Sequence, residues 1–419
     1  MRMIPTHFVP GAGLLGDGGA TRGPTVPILG LGLLAFGAAG VILGSSLRTK
    51  TKSALFTPAP RRLDGEEARA LPYPLDALPG GRDVATPYGS IRVYEWGPED
   101  GPRVLFVHGI STPTVSLGDL AHEMVAKGCR VMLFDLFGRG YSDAPNDLTY
   151  DARLYVTQIL LVLASSADVC WTAAPGFHLV GYSLGGGLCI VFARYFPRLL
   201  RSLVLVAPCG LIRPRHVSWR AWLYYTSGLL PKFAVRWLVR RRIRPQLVTL
   251  AGANSRGTTT TDILAAEDEQ KQVSGDGDAN GGKGFNSAAI SKYRPGVTVS
   301  SVVQWQVDHH RGFLLAFLST IRNAPIYAPQ EDWEALSSIL KAKRIEIEEG
   351  KSNSGLNRGK ILIVLGEDDP VIVKDETIED AKAVLGHDGV EFTVLDGGHE
   401  LPITRSSDVA NSVEDYWRR

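Results

Sequence analysis

Residues 177–196, F-H-L-V-G-Y-S-L-G-G-G-L-C-I-V-F-A-R-Y-F, carry the clearest structural signal in the sequence. The first six of these residues are mostly apolar and predict a buried strand, and residues 184–196 predict a helix that Pro197 ends. Between them lies Gly181-Tyr182-Ser183-Leu184-Gly185, a G-x-S-x-G motif. A turn this tight leaves no room for bulky neighbours and exposes the Ser183 hydroxyl. The helix that follows directs its N-terminal amides at that hydroxyl.

Short apolar runs that predict strands alternate with helical patterns on both sides of this motif. The runs are V-L-F-V-H (104–108), V-M-L-F-D (131–135), L-V-L-V-A (203–207), I-L-I-V-L-G (361–366) and E-F-T-V-L-D (391–396). A hairpin turning at Gly89-Ser90 precedes them. This alternation predicts an α/β fold with a mostly parallel, doubly wound sheet of about eight strands.

Two polar segments follow strands far downstream of Ser183. Gly366-Glu367-Asp368-Asp369 follows one predicted strand, and Gly397-Gly398-His399 follows the next. Because an open parallel sheet gathers its functional groups at the carboxyl ends of its strands, these segments are expected to meet Ser183. A serine hydroxyl needs such a neighbouring base to become a useful nucleophile.

The chain order Ser, Asp, His in these motifs resembles that of the α/β-hydrolase superfamily, AB hydrolase-1 group. The resemblance covers residues 83–419 apart from two insertions. It implies that Ser183 is the nucleophile, that His399 of the G-H motif is the base, and that Asp369 of G-x-x-D orients the base. Asp368, one residue away, is the rival for the acid.

The same resemblance implies an oxyanion hole. The family's His-Gly after its first parallel strand corresponds to His108-Gly109-Ile110, which places the donors at the backbone N–H groups of Ile110 and Leu184. His108 is then structural. The family's D-x-x-G-x-G-x-S motif runs from Asp135 to Ser142, and it implies a shaped loop with no catalytic group.

These features predict a serine hydrolase that cleaves a carboxylic ester, with a lipid-like ester as the narrower expectation, through an acyl-enzyme intermediate. A thioesterase, an amidase or an acyltransferase would use the same triad, and a non-catalytic binding protein would keep only the fold. No cofactor or metal is expected, because the four cysteines are spread singly and form no C-x-x-C pair. The net charge of +2 gives no nucleic-acid signal.

The N-terminal part predicts a membrane anchor. No charge lies between Arg22 and Arg48, and residues 25–47 are long enough to cross a bilayer as a helix. Residues 1–24 are then a tail and 48–82 a linker. Because basic residues are more frequent after the apolar run, the positive-inside rule places the catalytic domain in the cytosol. A cleaved signal peptide or a mitochondrial transit peptide is the alternative.

Residues 209–330 interrupt the alternation and predict a helical lid between two parts of the hydrolase core, 83–208 and 331–419. Tryptophans and tyrosines near its start interleave with arginines, from Trp219 to Arg242. This surface either binds anionic lipid headgroups beside the anchor or is an ordinary lid helix with its aromatic rings inward. Residues 341–358 are expected to form a second surface insertion.

Overall fold

A computed structural model describes residues 54–60, 65–216, 237, 282–327, 330–351, 356 and 358–419. The predicted tail 1–24 and anchor 25–47 lie outside the described residues, as does most of the basic aromatic part of the predicted lid. Within the described segments, no helix combines the length and apolar character needed to cross a bilayer. The anchor therefore stays a prediction.

An eight-stranded sheet forms the centre of the described chain, in the order β10-β9-β8-β7-β4-β5-β3-β2. A separate two-stranded ladder joins β1 to β6. The strands are β1 Phe56–Thr57, β2 Gly81–Thr86, β3 Gly89–Trp96, β4 Arg103–Val107, β5 Arg130–Phe134, β6 Ala144–Pro145, β7 Phe177–Tyr182, β8 Leu200–Val206, β9 Ile361–Gly366 and β10 Val390–Leu395.

Helices connect and cover these strands. In chain order they are α1 Gly65–Arg69, α2 Gly118–Ala126, α3 Ala152–Leu163, α4 Leu184–Tyr195, α5 Gly282–Ser287, α6 Val299–His309, α7 Phe313–Asn323, α8 Gln330–Glu348, α9 Lys374–Leu385, α10 Leu401–Thr404 and α11 Ser406–Arg418. Helices α5 to α7 and the start of α8 belong to the predicted lid 209–330, which separates β8 from β9.

The sheet is mostly parallel, as predicted. Strands β5, β4, β7, β8, β9 and β10 pair in parallel, whereas β3 runs antiparallel to both β5 and β2. Strand β7 lies in the middle, where Leu179 pairs with Leu105 of β4 and with Leu203 of β8. Every residue of β7 is buried, as a strand covered on both faces requires. The residue after β7, Ser183, thus starts from a rigid element.

One local prediction was wrong. The hairpin turns at Pro87-Tyr88 and not at Gly89-Ser90, because Thr86 already pairs with Gly89. Proline presets the backbone φ that a turn needs, which explains the shift. The expected surface insertion at 341–358 begins within α8, and its described residues are mostly exposed.

The predicted linker 48–82 contributes to the core within its described part. Tyr73 is fully buried, and its hydroxyl donates to the two carboxylate oxygens of Asp135 at 3.2 and 3.1 Å. Strand β2 also begins within this range, at Gly81. Tyr73 lies between Pro72 and Pro74, and proline-rich stretches are typical of linkers, so the sequence pattern does not predict its burial.

Candidate active site

Ser183 lies in a strained turn between β7 and α4. Its backbone has φ 53° and ψ −118°, a region that residues with a side chain rarely adopt. A Cβ added to Gly181 would lie 2.5 Å from the Gly185 carbonyl oxygen, and one added to Gly185 would lie 2.0 Å from the Val107 carbonyl oxygen. Both glycines of the motif are therefore sterically required, and the turn presses against the end of β4.

The structure brings Ser183, His399 and Asp369 into one hydrogen-bonded line. His399 Nε2 is 3.0 Å from Ser183 Oγ, and His399 Nδ1 is 2.8 Å from Asp369 Oδ2. All three side chains are buried. Since a carboxylate only accepts hydrogen bonds, Nδ1 carries the proton in the neutral imidazole, and Nε2 is left to accept from the serine hydroxyl. This arrangement can take a proton from Ser183.

The structure shows which of the two neighbouring carboxylates, Asp368 or Asp369, contacts His399. Asp369 Oδ1 accepts hydrogen bonds from the amides of Val371 and Ile372 at 2.8 and 2.9 Å, while its other oxygen faces His399. Asp368 is exposed, and its amide donates to the Gly397 carbonyl at 3.1 Å. Asp369 is thus the carboxylate that contacts His399, and its orientation is fixed by two backbone donors.

Two aromatic rings pack against His399. The Tyr182 hydroxyl donates to the His399 carbonyl at 2.7 Å, and the centroid of its ring lies 5.3 Å from that of the imidazole. The ring of Phe285, on α5, lies 5.9 Å from the imidazole. Sequence reasoning missed both. Tyr182 stands next to the nucleophile in the motif, which is a usable signal, whereas Phe285 follows a glycine-rich segment with no pattern.

Cys209 also contacts the nucleophile. Its sulfur is 3.8 Å from Ser183 Oγ, and its amide donates to the Ser183 carbonyl at 2.9 Å. Burial raises the pKa of the Cys209 thiol to about 12, so the thiol stays protonated at neutral pH. It follows β8, as Ser183 follows β7, so neighbouring strands bring the two residues together.

The loop after β4 runs beside Ser183. A Cβ on Gly109 would lie 3.4 Å from Ser183 Cβ, which places the backbone of the predicted oxyanion loop against the nucleophile. Leu184 is the first residue of α4, so its amide has no intrahelical acceptor. The Ile110 amide donates to no acceptor among the described residues. Both amides are therefore available to a ligand oxygen.

His108 supports this loop from within the core. It is fully buried, its Nδ1 donates to the Gly109 carbonyl at 2.7 Å, and its Nε2 accepts from the Leu136 amide at 2.9 Å. Burial lowers the pKa of His108 to about 3, so the ring is neutral and keeps this tautomer. His108 makes no hydrogen bond to Ser183 or His399, in keeping with the structural role implied by the resemblance.

Asp135 shapes the next loop. Its carboxylate accepts from the amides of Thr114 and Tyr141, each at 2.9 Å, and from Tyr73. Burial raises the pKa of this carboxyl to about 6, against the opposing effect of these donors. A Cβ on Gly140 would lie 2.0 Å from Asp135 Oδ2, which explains that glycine. Asp135 therefore fixes the backbone at Thr114 and Tyr141, and it makes no hydrogen bond to Ser183, His399 or Asp369.

The comparisons with known proteins agree with this geometry. A family model of the alpha/beta hydrolase fold matches residues 102–406. The chain belongs to the alpha/beta hydrolase family. This membership supports hydrolase chemistry, because named relatives within the family are hydrolases.

Three similar proteins illustrate the range of sequence identity and coverage. An uncharacterized protein of Mycobacterium bovis is 31% identical over 33% of this chain and 40% of its own length. The monoglyceride lipase of Mus musculus is 28% identical over 29% of this chain and 41% of its own. The crystal structure of a membrane phospholipase A covers 93% of this chain and 97% of its own, with a TM-score of 0.53 and 18% identity. The last likeness shows the fold alone, and the chain spans about two fifths of the length of the curated relatives it matches.

Proposed function

We propose that this protein hydrolyses a carboxylic ester with Ser183 as the nucleophile. The observation that carries the proposal is the 3.0 Å contact between His399 Nε2 and Ser183 Oγ, with Asp369 2.8 Å from the opposite ring nitrogen. His399 removes the hydroxyl proton as Ser183 Oγ attacks the ester carbonyl. Asp369 holds the imidazole in the required tautomer and stabilises the imidazolium that forms.

The remaining steps use the same groups. The amides of Ile110 and Leu184 bind the oxyanion of the tetrahedral intermediate, and such a donor contributes about 10²- to 10³-fold in rate. His399 then gives its proton to the leaving alcohol, and the acyl group stays on Ser183. Water next attacks the acyl carbon while His399 again accepts the proton, and the acid leaves.

A lipid-like ester is the substrate class that we propose first. One relative is a monoglyceride lipase, and the buried neighbours of the triad, Phe285 and Cys209, are apolar or weakly polar. Thioesters and amides present the same carbonyl to the same triad, and an acyltransferase would replace water with another alcohol. We place the ester before the amide because an alcohol is a better leaving group than an amine, so the acyl-enzyme forms over a lower barrier when His399 donates its proton.

A panel of matched substrates tests this function. The full-length protein would be given p-nitrophenyl esters of two to sixteen acyl carbons, the corresponding coenzyme A thioesters and the corresponding anilides. We expect measurable turnover of esters with a burst of p-nitrophenol, faster for longer acyl chains, and slower turnover of anilides. Faster thioester than ester turnover would move the assignment to a thioesterase, and no turnover by folded protein would favour a binding role.

We also propose that residues 25–47 anchor the protein in a membrane with the catalytic domain in the cytosol. The support is the absence of charge between Arg22 and Arg48 and the basic residues that follow. A charge in the middle of the segment, Leu34→Arg, should release the protein into the supernatant after carbonate extraction of expressing cells. Leu55→Arg, at an exposed position, is the matched control. Equal extraction of wild type and Leu34→Arg would contradict the anchor.

A further inference from the structure

Three successive carbonyl oxygens in the loop after β4 are each held by a side chain. The Gly109 oxygen accepts from His108 Nδ1 at 2.7 Å, within the loop itself. The Ile110 oxygen accepts from Arg139 Nε at 3.0 Å. The Ser111 oxygen accepts from Gln306 Nε2 at 2.9 Å. These contacts restrain three consecutive peptide planes of the loop.

Peptide planarity connects these contacts to the Ile110 amide. The N–H of one residue and the C=O of the residue before it share one plane and point in opposite directions. The contact from His108 to the Gly109 carbonyl therefore sets the direction of the Ile110 N–H. The contact from Arg139 to the Ile110 carbonyl fixes the following plane, so the backbone of Ile110 is clamped on both sides.

Arg139 is an unusual group for this task. It is fully buried, and its other described partners are neutral: the Phe137 carbonyl at 3.2 Å, the Tyr155 hydroxyl at 3.3 Å and the Thr320 hydroxyl at 3.1 Å. Among the residues that the structure describes, no carboxylate forms an ion pair with it. A buried charge is costly without a counter-ion, and an apolar side chain would satisfy the core at less cost.

Gln306 joins the same loop to a second one. It is fully buried on α6, and its Oε1 accepts from the Gly140 amide at 2.9 Å while its Nε2 donates to Ser111. The neighbouring helix α7 supplies Thr320, the partner of Arg139. Segments that lie between β8 and β9 thus reach under the loop after β4 and hold it.

We propose that Arg139 and Gln306 are positioning residues that orient the Ile110 amide toward the oxyanion, with the guanidinium adding positive potential where negative charge develops. This inference rests on the proposed function, because it assigns a task in that reaction. Positive charge near a developing oxyanion in a water-poor site stabilises the transition state more than the ground state. Arg139 and Gln306 are therefore expected to influence kcat and not substrate binding.

Steady-state kinetics of Arg139→Met and Arg139→Lys with the best ester of the panel test this. We expect Arg139→Met to lower kcat by about 10- to 100-fold with KM changed less than threefold, because the lost stabilisation exists only in the transition state. Arg139→Lys keeps the charge without the planar fork, so it should recover part of the loss. A trifluoromethyl ketone, which forms an oxyanion on the enzyme, should lose affinity by the same factor as kcat/KM.

Arg92→Met is the matched control for burial of an arginine. Arg92 is also buried, and it also donates to a backbone carbonyl, that of Leu75 at 2.7 Å, but it lies on β3, forms an ion pair with Asp83 at 3.4 Å and makes no hydrogen bond to the loop after β4. We expect Arg92→Met to lower the melting temperature and leave kcat within twofold. An equal fall in kcat for Arg92→Met and Arg139→Met would overturn the inference, since a general loss of packing would then explain both.

Gln306→Met provides a second route if Arg139→Met fails to fold. The methionine removes the donor to Ser111 and the acceptor for Gly140 without adding a charge, so kcat should fall about tenfold with little change in KM. Unchanged kcat in this variant, with wild-type turnover intact, would overturn the inference and leave the proposed function standing. Wild-type protein without any ester turnover would instead refute the proposed function itself.

Discussion

Two buried serine–histidine pairs lie at opposite ends of the same central strand. At the carboxyl end of β7, Ser183 Oγ is 3.0 Å from His399 Nε2. Near the amino end, Ser202 Oγ of β8 is 2.7 Å from Nδ1 of His178, the second residue of β7. The side chains of both pairs are almost completely buried. By distance alone, the second pair is the better one.

The surroundings differ. Ser183 has strained backbone, free amides beside it and a histidine held by Asp369, whereas Ser202 lies inside a regular strand. Trp417 Nε1 donates to Ser202 Oγ at 3.0 Å, and the Trp417 ring lies 3.9 Å from the imidazole of His178. Burial, reinforced by Arg201, lowers the pKa of His178 to about 3. A serine beside a histidine therefore becomes a candidate nucleophile only with an acid, a strained strand-to-helix turn and oxyanion donors.

The largest expected difference between the two pairs is in turnover. Ser183→Ala should lower kcat by roughly 10⁴- to 10⁶-fold, because the nucleophile is lost and only binding and the oxyanion donors remain. Ser202→Ala should leave kcat within about twofold, since Ser202 takes no part in the reaction. Initial rates with a p-nitrophenyl ester measure both. Similar losses in the two variants would mean that the comparison drawn above is wrong.

The carboxylate of Asp369 should distinguish the two serine–histidine pairs in turnover almost as strongly as the serines do. Asp369→Asn is expected to lower kcat by about 10⁴-fold at neutral pH, because the amide favours the wrong imidazole tautomer. Asp368→Asn, at the exposed neighbour, should leave kcat within twofold. The two variants differ by one position in the chain, so equal rates for both would show that contact with His399 has no catalytic importance.

The pair of His178 and Ser202 should influence the free energy of unfolding at low pH. The pKa of His178 is lower in the folded protein than in the unfolded chain, where it is about 6.5. The contribution of His178 to the free energy of unfolding is therefore fully present above pH 6.5. It declines by about 1.4 kcal/mol per pH unit as the pH falls toward 3, since only the unfolded chain takes up the proton. His178→Asn should flatten this slope in urea denaturation between pH 4 and 7.

Ser202→Ala is the matched variant for that slope. It removes a hydrogen-bond partner of His178 but keeps the titrating ring, so its slope should remain that of the wild type. His108 and His310, whose pKa values burial lowers to about 3 and about 4, keep part of the slope in both variants. A wild-type slope in His178→Asn would show that His178 is not buried as a neutral ring.

The smallest expected effect concerns one thiol near each pair. Cys170 is exposed, and its contact with the Thr172 hydroxyl lowers the pKa of its thiol, whereas Cys209 is buried beside Ser183. Iodoacetamide should therefore modify Cys170 alone in the folded protein and change kcat less than twofold. Peptide mass mapping identifies the site. Rapid modification of Cys209 would mean that the carboxyl end of the sheet is open to solvent.

The sequence predicted the parts of this molecule that local chemistry determines. The motif around Ser183 needs an apolar strand, two small residues and a helix, and all three lie within twenty residues. Asp369 and His399 were found because each follows a strand of a parallel sheet, where topology gives the direction of the chain. The choice between Asp368 and Asp369 rested on family spacing until the structure placed one buried and one exposed.

Contacts made across long stretches of chain were not predictable in the same way. Phe285 reaches His399 and Gln306 reaches Ser111 from the segment between β8 and β9. Phe285 stands in no periodic pattern, and Gln306 is a polar residue on the buried face of α6, where the pattern predicts an apolar side chain. Arg139 occupies an unspecified position of the D-x-x-G-x-G-x-S motif, so the motif assigns it no role. Its burial and its contact with Ile110 depend on how α6 and α7 pack, which no local pattern encodes.

Covalent labelling of the protein with a fluorophosphonate reports directly whether His399 makes Ser183 a reactive nucleophile. We expect one phosphonate adduct, mapped by peptide mass spectrometry to Ser183, that is absent in Ser183→Ala and His399→Ala and unchanged in Ser202→Ala. An adduct on Ser202, or folded wild-type protein that takes up no label, would contradict it.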